Sequence, residues 1–319
     1  MTTSGRLHVL HLVTAREVFF DQQIETLENK GVGCTVCVVP GAEQIDGDMG
    51  SRRGLKEYLQ YFPKVRRELR RGEYDLIHAN YGLTAPYALT QFQMPVVLTL
   101  WGSDVVGFDG LVTKACVRQT DAVTVRSQEM KELLGYEEAN IIPSGVDLER
   151  FYPINRKTAR ERIGWETDGT HVLFPYSPEY ERKNYPLAEQ VVEKSQSELD
   201  TKVKLHTISN VPHKEVIYYI NAADALVLTS KHEGSPNTVK EAMACNVPVV
   251  STPVGDVKER LHKVTFSGVG SDVSELAQIL TKVLREKQRS NGREIVRDVS
   301  WDRIGDLIIE IYNHTLCNS

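Results

Sequence analysis

The sequence predicts an α/β protein built from two doubly wound parallel sheets. Short apolar runs alternate with amphipathic stretches along the whole chain, which is the pattern of parallel strands joined by crossover helices. A second series of such runs begins near His171, after a joining stretch at residues 148–157. At 319 residues the chain is long enough for two domains with cores of their own. Because ligands of doubly wound sheets bind at the carboxyl ends of the strands, we expect functional residues in the loops that follow them.

The individual elements follow from the length and periodicity of the apolar runs. In the first half they are a strand at Leu7–Val13, a helix at Asp21–Lys30, a strand at Cys34–Val39, a helix at Gly54–Arg71 and strands at Leu76–His78, Val96–Leu100 and Ala122–Val125. In the second half they are strands from His171 and at Val203–Ile208, Ala225–Leu228 and Val247–Ser251, with helices at Glu215–Ala222 and Thr238–Cys245. The amphipathic stretch Trp301–Tyr312 predicts a terminal helix. The predicted domains are residues 1–150 and 151–298, followed by the terminal helix at 299–319.

Charge and hydropathy argue against several classes of protein. The formal net charge of −5 gives no general attraction to nucleic acid. No apolar run reaches about 18 residues, the length that spans a bilayer, and no charged-then-apolar leader opens the chain. We therefore expect a cytoplasmic protein without nucleic acid as a partner.

The five cysteines do not have the spacing of a metal site. Cys34 and Cys37 spell C-x-x-C, but they lie in a predicted strand whose alternation sends the two thiols to opposite faces. We expect ordinary core cysteines and neither a redox nor a zinc role.

The start of one helix in the second half has the features of an anion site. Ser235 suits the N-cap position, and Pro236 suits the first helical position, where its missing N–H costs nothing. The backbone amides of Asn237 and Thr238 are then free, and the helix dipole adds positive potential beside them. The sequence therefore predicts a phosphate-sized site at this helix start.

Two carboxylates flank this predicted site. Glu233 lies on the loop before the helix, and Glu241 lies roughly 7–8 Å along it from Pro236 at about 1.5 Å per residue. A ligand with phosphates at the helix start could place one sugar by each carboxylate, since carboxylates accept hydrogen bonds from vicinal hydroxyls. The alternative is a loop charge and a solvated helix face.

The stretch from Glu233 to Val250 resembles the E-x7-E signature of the retaining glycosyltransferases of family 4, with Glu-Gly-Ser-Pro-Asn as the turn and Glu-Ala-Met-Ala-Cys in the helix. Other segments resemble that family in the order it requires. They are Asp75–Asn80, Val97–Asp104, and Ile142–Asp147 with Phe151 and Pro153. The resemblance covers nearly the whole chain.

The resemblance implies the GT-B fold: two Rossmann-like domains facing across a cleft, with a C-terminal helix that crosses back to the first domain. It implies transfer of a sugar from a nucleotide diphosphate sugar, most commonly a UDP- or GDP-sugar, to an acceptor hydroxyl on a glycan, a lipid-linked molecule or a small molecule. Anomeric configuration would be retained, without a bound metal or other cofactor. The base, the sugar and the acceptor stay open at this point.

The resemblance also assigns roles to residues of the second half. Glu233 would contact sugar hydroxyls, Glu241 the ribose, and Lys183 the diphosphate, with Glu233 and Lys183 as the catalytic residues. Val211 would offer backbone contacts near the base. The predicted donor-binding residues are Arg182, Lys183, Val211, Glu233, Gly234, Ser235, Pro236, Asn237, Thr238 and Glu241.

The chain departs from the family pattern at two places. The family arginine of the basic loop has no equivalent at its usual spacing, so Arg182 is either a substitute or a solvated charge. Trp101 stands where many relatives carry a histidine, and an indole can stack on a sugar but cannot shuttle protons. The predicted acceptor-side residues are Asn80, Tyr81, Trp101, Gly102 and Asp104, each of which also suits a structural role.

Two other functions stay open. One is a nucleotide-sugar epimerase of the same fold, which would act on the donor without an acceptor. The other, which these departures suggest, is a non-catalytic sugar-nucleotide-binding subunit. A nicotinamide dehydrogenase is disfavoured because no G-x-G-x-x-G follows the first strand. Asp46-Gly47-Asp48 spells D-x-D, but its Gly-rich surroundings predict a surface loop and not a metal site.

Residues 51–73 carry eight Lys or Arg against three Glu, interleaved with apolar side chains. This pattern suits a helix lying on an anionic membrane surface, which would place the protein at the inner face of the membrane. The alternative is an ordinary crossover helix whose apolar stripe packs on the sheet.

Overall fold

The computed structural model describes residues 6–41 and 54–318, and it divides into two compact units. Unit 1 comprises Met1–Gly145 and Trp301–Ser319, and unit 2 comprises Val146–Ser300. Each unit contains one parallel sheet flanked by helices, which confirms the predicted α/β class with two parallel sheets. Asp46-Gly47-Asp48 and residues 51–53 lie outside the described residues.

Unit 1 holds a six-stranded sheet with the order β2-β1-β3-β4-β5-β6, all pairs parallel. Its strands are β1 His8–Val13, β2 Gly33–Val38, β3 Leu76–Asn80, β4 Val96–Thr99, β5 Ala122–Val125 and β6 Asn140–Ile141. Its helices are α1 Val18–Asn29, α2 Leu55–Arg71, α3 Ala85–Ala88, α4 Gly107–Cys116, α5 Gln128–Leu134 and, at the end of the chain, α13 Trp301–Asn318. The strand order reverses between β1 and β3, where such sheets bind ligands.

The two faces of the unit 1 sheet are both covered. Cys37 lies in the larger apolar cluster with β3, β4 and α2, whereas Cys34 packs on the other face beside Phe20 and Ile24 of α1. This confirms that the two thiols point to opposite faces, as a strand period of two requires. Burial raises the pKa of Cys34 to about 12, so the thiol stays protonated.

Helix α13 packs on α1 and β3 within unit 1. Tyr312 Oη lies 2.6 Å from His78 Nδ1, and both side chains are buried. At the other end of the helix Lys30 of α1 pairs with Asp302 and Asp306 at 2.6 and 2.7 Å. The terminal helix is therefore part of the unit 1 core.

Unit 2 holds a five-stranded parallel sheet with the order β11-β10-β9-β7-β8. Its strands are β7 Thr170–Phe174, β8 Val203–Thr207, β9 Ala225–Leu228, β10 Val249–Ser251 and β11 Gly268–Val269. Its helices are α6 Arg156–Ile163, α7 Tyr185–Gln196, α8 His213–Ala222, α9 Asn237–Ala244, α10 Val257–Leu261, α11 Val273–Glu286 and α12 Gly292–Ile295.

The start of α9 differs from the prediction by one residue. Pro236 is the N-cap, in extended backbone with φ −66° and ψ 120°, and the helix begins at Asn237. Ser235 does not cap the helix, because its hydroxyl donates to Asp256 at 2.7 Å. Asn246, with φ 55°, follows the helix end in the left-handed region that asparagine tolerates.

None of the described helices is long and apolar enough to cross a membrane. Within residues 6–41 and 54–318, no group of three or more His, Cys, Asp or Glu side chains is arranged to hold a metal ion.

Candidate functional site

The basic turn after β7 carries Lys183. A short 3₁₀ turn at Glu181–Lys183 precedes α7, and the Thr229 hydroxyl after β9 donates to the carbonyls of Lys183 and Asn184 at 3.1 and 3.0 Å. The Lys231 amide also donates to the Arg182 carbonyl at 2.9 Å. These bonds fix the turn against the loop that follows β9, which is the loop that carries Glu233.

Lys183 and Glu233 are in direct contact. Nζ lies 2.7 Å from Glu233 Oε1, and the two side chains are 5% and 10% exposed. The same ammonium lies 3.8 Å from the centre of the Tyr176 ring, a cation–π contact. Burial alone would lower the pKa of Lys183, but Tyr176 and the Glu233 carboxylate raise it above its usual value, so the amine is a cation. The structure therefore brings the two predicted catalytic residues together.

Tyr176 connects this pair to the first turn of α9. Its hydroxyl lies 2.8 Å from Thr238 Oγ1, and burial raises its pKa, so the phenol is neutral. Asn237 Oδ1 is buried at the same helix start and has no hydrogen-bond partner. The predicted anion site thus lies beside a lysine cation and a buried, unpaired amide oxygen.

A buried polar network holds the loop before α9. Lys240 Nζ donates to the Ser235 carbonyl at 3.0 Å and to its hydroxyl at 2.6 Å, and that hydroxyl donates to Asp256. Lys240 is fully buried and Asp256 is 5% exposed. Gly255 has φ +56°, and a Cβ there would run into the Gly234 carbonyl, so only glycine lets the two loops approach this closely.

Glu241 is held by His213 at the start of α8. The imidazole Nε2 lies 3.0 Å from Glu241 Oε1, and its Nδ1 lies 3.0 Å from Arg150 Nη1. Because a guanidinium can only donate, Nδ1 must accept, so Nε2 carries the proton and donates to the carboxylate. Phe151 packs edge-on against the imidazole, with ring centres 5.4 Å apart. Glu241 is thereby oriented on the helix and is not a solvated charge, since its side chain is 9% exposed.

The two remaining predicted donor residues are more open. Arg182 is exposed, with its guanidinium 5.6 Å from the centre of the Tyr180 ring. Val211 is half-buried, in the loop between β8 and α8.

The predicted acceptor-side residues lie at the carboxyl ends of β3 and β4 in unit 1. Asp104 is fully buried and accepts hydrogen bonds from the amides of Trp101, Gly102 and Gly82 at 2.8 to 3.2 Å. Burial raises the pKa of Asp104, and the three amides act in the opposite direction. Its carboxylate therefore organises the turn after β4 and is not available to a ligand.

Tyr81 and Asn80 follow β3 and also take part in internal bonds. The Tyr81 hydroxyl donates to Asp109 at 2.7 Å, and its backbone has φ 92°, which is unusual for a bulky side chain. Asn80 is buried and donates to the His78 carbonyl at 3.1 Å.

Trp101 stacks on an arginine that the sequence did not single out. The guanidinium of Arg126, which follows β5, lies 3.6 Å from the centre of the indole ring. Phe19 packs on the same indole with ring centres 4.9 Å apart. Trp101, one of the two departures from the family pattern, thus takes part in a cation–π pair.

Four further residues of the site were not predicted from the sequence: Tyr176, His213, Lys240 and Asp256. Lys240 carried a signal, because a lysine in a helix that otherwise reads as buried needs a specific partner. The other three became apparent only when the strand-end loops were brought together.

Two family descriptions match the chain. Residues 17–150 match "Glycosyltransferase Family 4", and residues 187–297 match "Glycosyl transferases group 1". Together they span most of both units. The chain belongs to the family 4 glycosyltransferases.

Relatives with assigned names agree with that membership. A glycosyltransferase named for teichuronic acid biosynthesis in Bacillus subtilis is 30% identical over 217 residues, covering 59% of this chain and 56% of the relative. The match thus spans little more than half of that relative's length. A D-inositol 3-phosphate glycosyltransferase of Geodermatophilus obscurus is 23% identical, over 81% of this chain and 68% of the relative.

Solved structures with the GT-B fold superpose on nearly the whole chain. The sucrose-phosphate synthase of Thermosynechococcus elongatus gives a TM-score of 0.77 at 18% identity, covering 98% of this chain and all of that one. The Anabaena protein HepE in complex with UDP-glucose gives 0.73 at 16% identity, covering 97% and 100%. At these identities the likeness establishes the fold.

Proposed function

We propose that this protein is a retaining glycosyltransferase that takes its sugar from a nucleotide diphosphate sugar. The observation that carries the proposal is the contact of Lys183 with Glu233 beside the start of α9, since a cation and a carboxylate next to one helix N-terminus suit a diphosphate and a sugar. A neighbour of the same fold was solved with UDP-glucose, which supports a UDP-sugar as the donor. No metal is invoked, because the helix amides and Lys183 can neutralise the diphosphate.

In the proposed reaction the bond between the anomeric carbon and the diphosphate oxygen breaks, and the acceptor oxygen bonds to the same face of the sugar. The acceptor proton moves to a phosphate oxygen of the leaving group, so no protein base is required. Lys183 and the amides at the start of α9 stabilise the charge that develops on the diphosphate. Glu233 orients the sugar through its hydroxyls, and Glu241, held by His213, accepts hydrogen bonds from the ribose.

A donor screen tests this proposal. We would incubate the protein with UDP-, GDP- and ADP-glucose, each with and without candidate acceptors, and follow nucleotide release and product mass. Transfer that requires an acceptor and yields a product of retained configuration is expected. An altered sugar without acceptor would indicate an epimerase, binding without turnover would indicate a sugar-nucleotide-binding subunit, and no binding at all would contradict the proposal.

We also propose that unit 1 contacts an anionic membrane surface through α2, as a cytoplasmic peripheral protein. Tyr61 and Val65 bury the inner face of this helix. Its other side exposes Leu59 and Phe62, at 66% and 46%, next to exposed cations at 67, 70 and 71. Exposed apolar side chains interleaved with cations suit the lipid headgroup region.

The exposure of the arginines of α2 decides which of them to change in a test of membrane binding. Arg66 is half-buried and donates to the Thr90 carbonyl at 3.2 Å, so it belongs to the fold and should be kept. Reversing Arg67, Arg70 and Arg71 to Glu should abolish binding to vesicles containing phosphatidylglycerol, and binding of the wild type should fade with salt. Reversing Lys202, Lys214 and Lys282, which are in unit 2, is the charge-matched control. Equal vesicle binding by both triple variants, or none by the wild type at low salt, would contradict the proposal.

A further inference from the structure

Arg126 is a buried cation without a direct ion pair at the carboxyl edge of the unit 1 sheet. The residue is 1% exposed, and none of the ion pairs among the described residues includes it. Its Nε is buried and has no hydrogen-bond partner. Its Nη1 donates to the carbonyls of Ile142 and Pro143 at 3.2 and 3.5 Å, and its Nη2 donates to Gln23 Oε1 at 3.5 Å. These hydrogen bonds are long for a guanidinium. Burial lowers its pKa to about 9, so it stays charged at neutral pH.

The groups in direct contact with Arg126 carry no negative charge. Asp104 acts on it electrostatically, but that carboxylate is engaged by three backbone amides and forms no direct bond with the guanidinium. His11 and His78 are fully buried, and burial lowers the pKa of His11 to about 3, so both imidazoles are neutral. Arg126 therefore has no directly bonded counterion among the described residues.

The same edge holds a loosely bonded polar cluster. Gln23 Nε2 lies 3.4 Å from Asn80 Oδ1, and Asn80 Nδ2 lies 3.4 Å from His11 Nδ1. His11 Nε2 is a second buried nitrogen without a partner. The cluster lies at the ends of β1, β3 and β5, including the switch point between β1 and β3 where doubly wound sheets bind ligands. Buried polar groups are ordinarily satisfied, so His11 Nε2 beside the switch point and Arg126 Nε after β5 are two buried nitrogens that can still accept a hydrogen-bond partner or donate to one.

We propose that Arg126 binds an anionic group, a carboxylate or a phosphate, on the acceptor substrate. Trp101 covers one face of the guanidinium, and the nitrogen-bearing edge is the part that holds carboxylates and phosphates in a bidentate manner. Its present bonds to Gln23 and Pro143, at 3.5 Å, are at the limit of hydrogen bonding, so little is lost when a ligand replaces them. This inference rests on the proposed transferase function and specifies its acceptor as an acidic molecule.

The first test measures anion binding directly. The indole N–H resonance of Trp101, assigned with Trp101→Phe, is followed in the full-length protein while phosphate, acetate, glucuronate, glucose 6-phosphate and neutral glucose are added at constant ionic strength. A saturable shift with phosphate or with at least one carboxylate is expected, and glucose should give none. Arg126→Met should lose the shift, whereas Arg118→Met, an exposed arginine of the same unit, should keep it. No response to any anion, or an equal response in Arg126→Met, would overturn the proposal.

The second test separates ligand binding from a structural role. If Arg126 serves a ligand, Arg126→Met should unfold at the same or a higher temperature than the wild type, because a buried charge without a directly bonded counterion is removed. A large loss of stability would assign Arg126 to holding the Ile142 and Pro143 carbonyls instead.

UDP binding is measured in parallel in both proteins. Unchanged UDP affinity in Arg126→Met is expected, and a selective loss would assign the guanidinium to the donor. Absence of UDP binding in the wild type would contradict the transferase proposal while leaving the anion titration interpretable.

Discussion

Lys183 and Glu233 are each other's charge partner in the absence of a substrate. Taking both out of water is costly, and the 2.7 Å contact together with the Tyr176 ring offsets that cost. When a diphosphate arrives, Lys183 can transfer its ion pairing to phosphate oxygens, and Glu233 can transfer its own to sugar hydroxyls. In the proposed function the pair would thus keep the two groups that bind the donor ordered before the donor arrives.

Lys183→Ala should lower kcat more than it raises the donor KM, because the cation faces a charge that develops only in the transition state. Steady-state rates with the donor found by screening check this, and Lys202→Ala, an exposed lysine of unit 2, is the control. An effect on KM alone would restrict Lys183 to ground-state binding. No effect on either constant would move the role to Arg182.

At the scale of elements, the edge of the unit 2 sheet contains a neutral histidine pair. His171 on β7 and His206 on β8 lie with Nδ1 and Nε2 2.8 Å apart, and Trp165 stacks on His206 with ring centres 3.6 Å apart. Burial, then the neighbouring His171, lowers the pKa of His206 to about 4, and burial also lowers the pKa of His171. One ring must accept the hydrogen bond that the other donates, so double protonation would break this contact.

This pair predicts a loss of stability in mild acid. In the unfolded chain both histidines bind protons below about pH 6.5, whereas in the folded chain His206 resists protonation down to about pH 4. The unfolded state therefore binds more protons in this window, and the free energy of unfolding falls as the pH is lowered through it. Thermal unfolding at pH 7 and pH 5 should show a smaller decrease for the double variant His171→Gln/His206→Gln. An equal decrease would assign the acid sensitivity to other groups.

Helix α13 shows how the end of the chain completes unit 1. Tyr312→Phe removes the hydrogen bond to His78 and leaves a buried imidazole nitrogen unsatisfied, which should cost about 1–3 kcal/mol of stability. Denaturant unfolding checks this, with Tyr152→Phe, a surface tyrosine of unit 2, as the control. A change below about 0.5 kcal/mol, the range of ordinary surface substitutions, would mean that α13 is held by its ion pairs and apolar contacts alone.

For the whole molecule, the sequence was most informative where periodicity and composition decide the structure. The terminal helix and most strands of both sheets followed from apolar runs, because a parallel sheet buries its strands on both faces. The two-residue edge strands β6 and β11 were not predicted, since neither comes from an apolar run of strand length. The contact of Lys183 with Glu233 could not be derived, since it depends on how the loops after β7 and β9 meet across 50 residues of chain. His213 and Arg126 were missed for the same reason, because their partners are remote in sequence.

The start of α9 shows the limit of local rules. Ser235 and Pro236 suited an N-cap and a first helical residue, yet Ser235 bonds to Asp256 and Pro236 takes the cap position. Lys240 and Asp256 outweigh the local preference of Ser235, because a buried ammonium and a buried carboxylate both need partners. The orientation of the Glu241 carboxylate also depends on residues remote in sequence, since His213 donates to it and Arg150 donates to the other nitrogen of His213.

The central claim is that unit 2 binds a nucleoside diphosphate at α9, with Glu241 as the ribose ligand. Calorimetric titration of UDP and GDP into the wild type, Glu241→Ala and Glu193→Ala tests it most directly, with circular dichroism to show that each variant is folded. Glu193 is an exposed glutamate on α7 and should have no effect. The account predicts that Glu241→Ala weakens binding by about 1.5–3 kcal/mol, or about 10- to 150-fold in Kd. Unchanged affinity in a folded Glu241→Ala variant would contradict it.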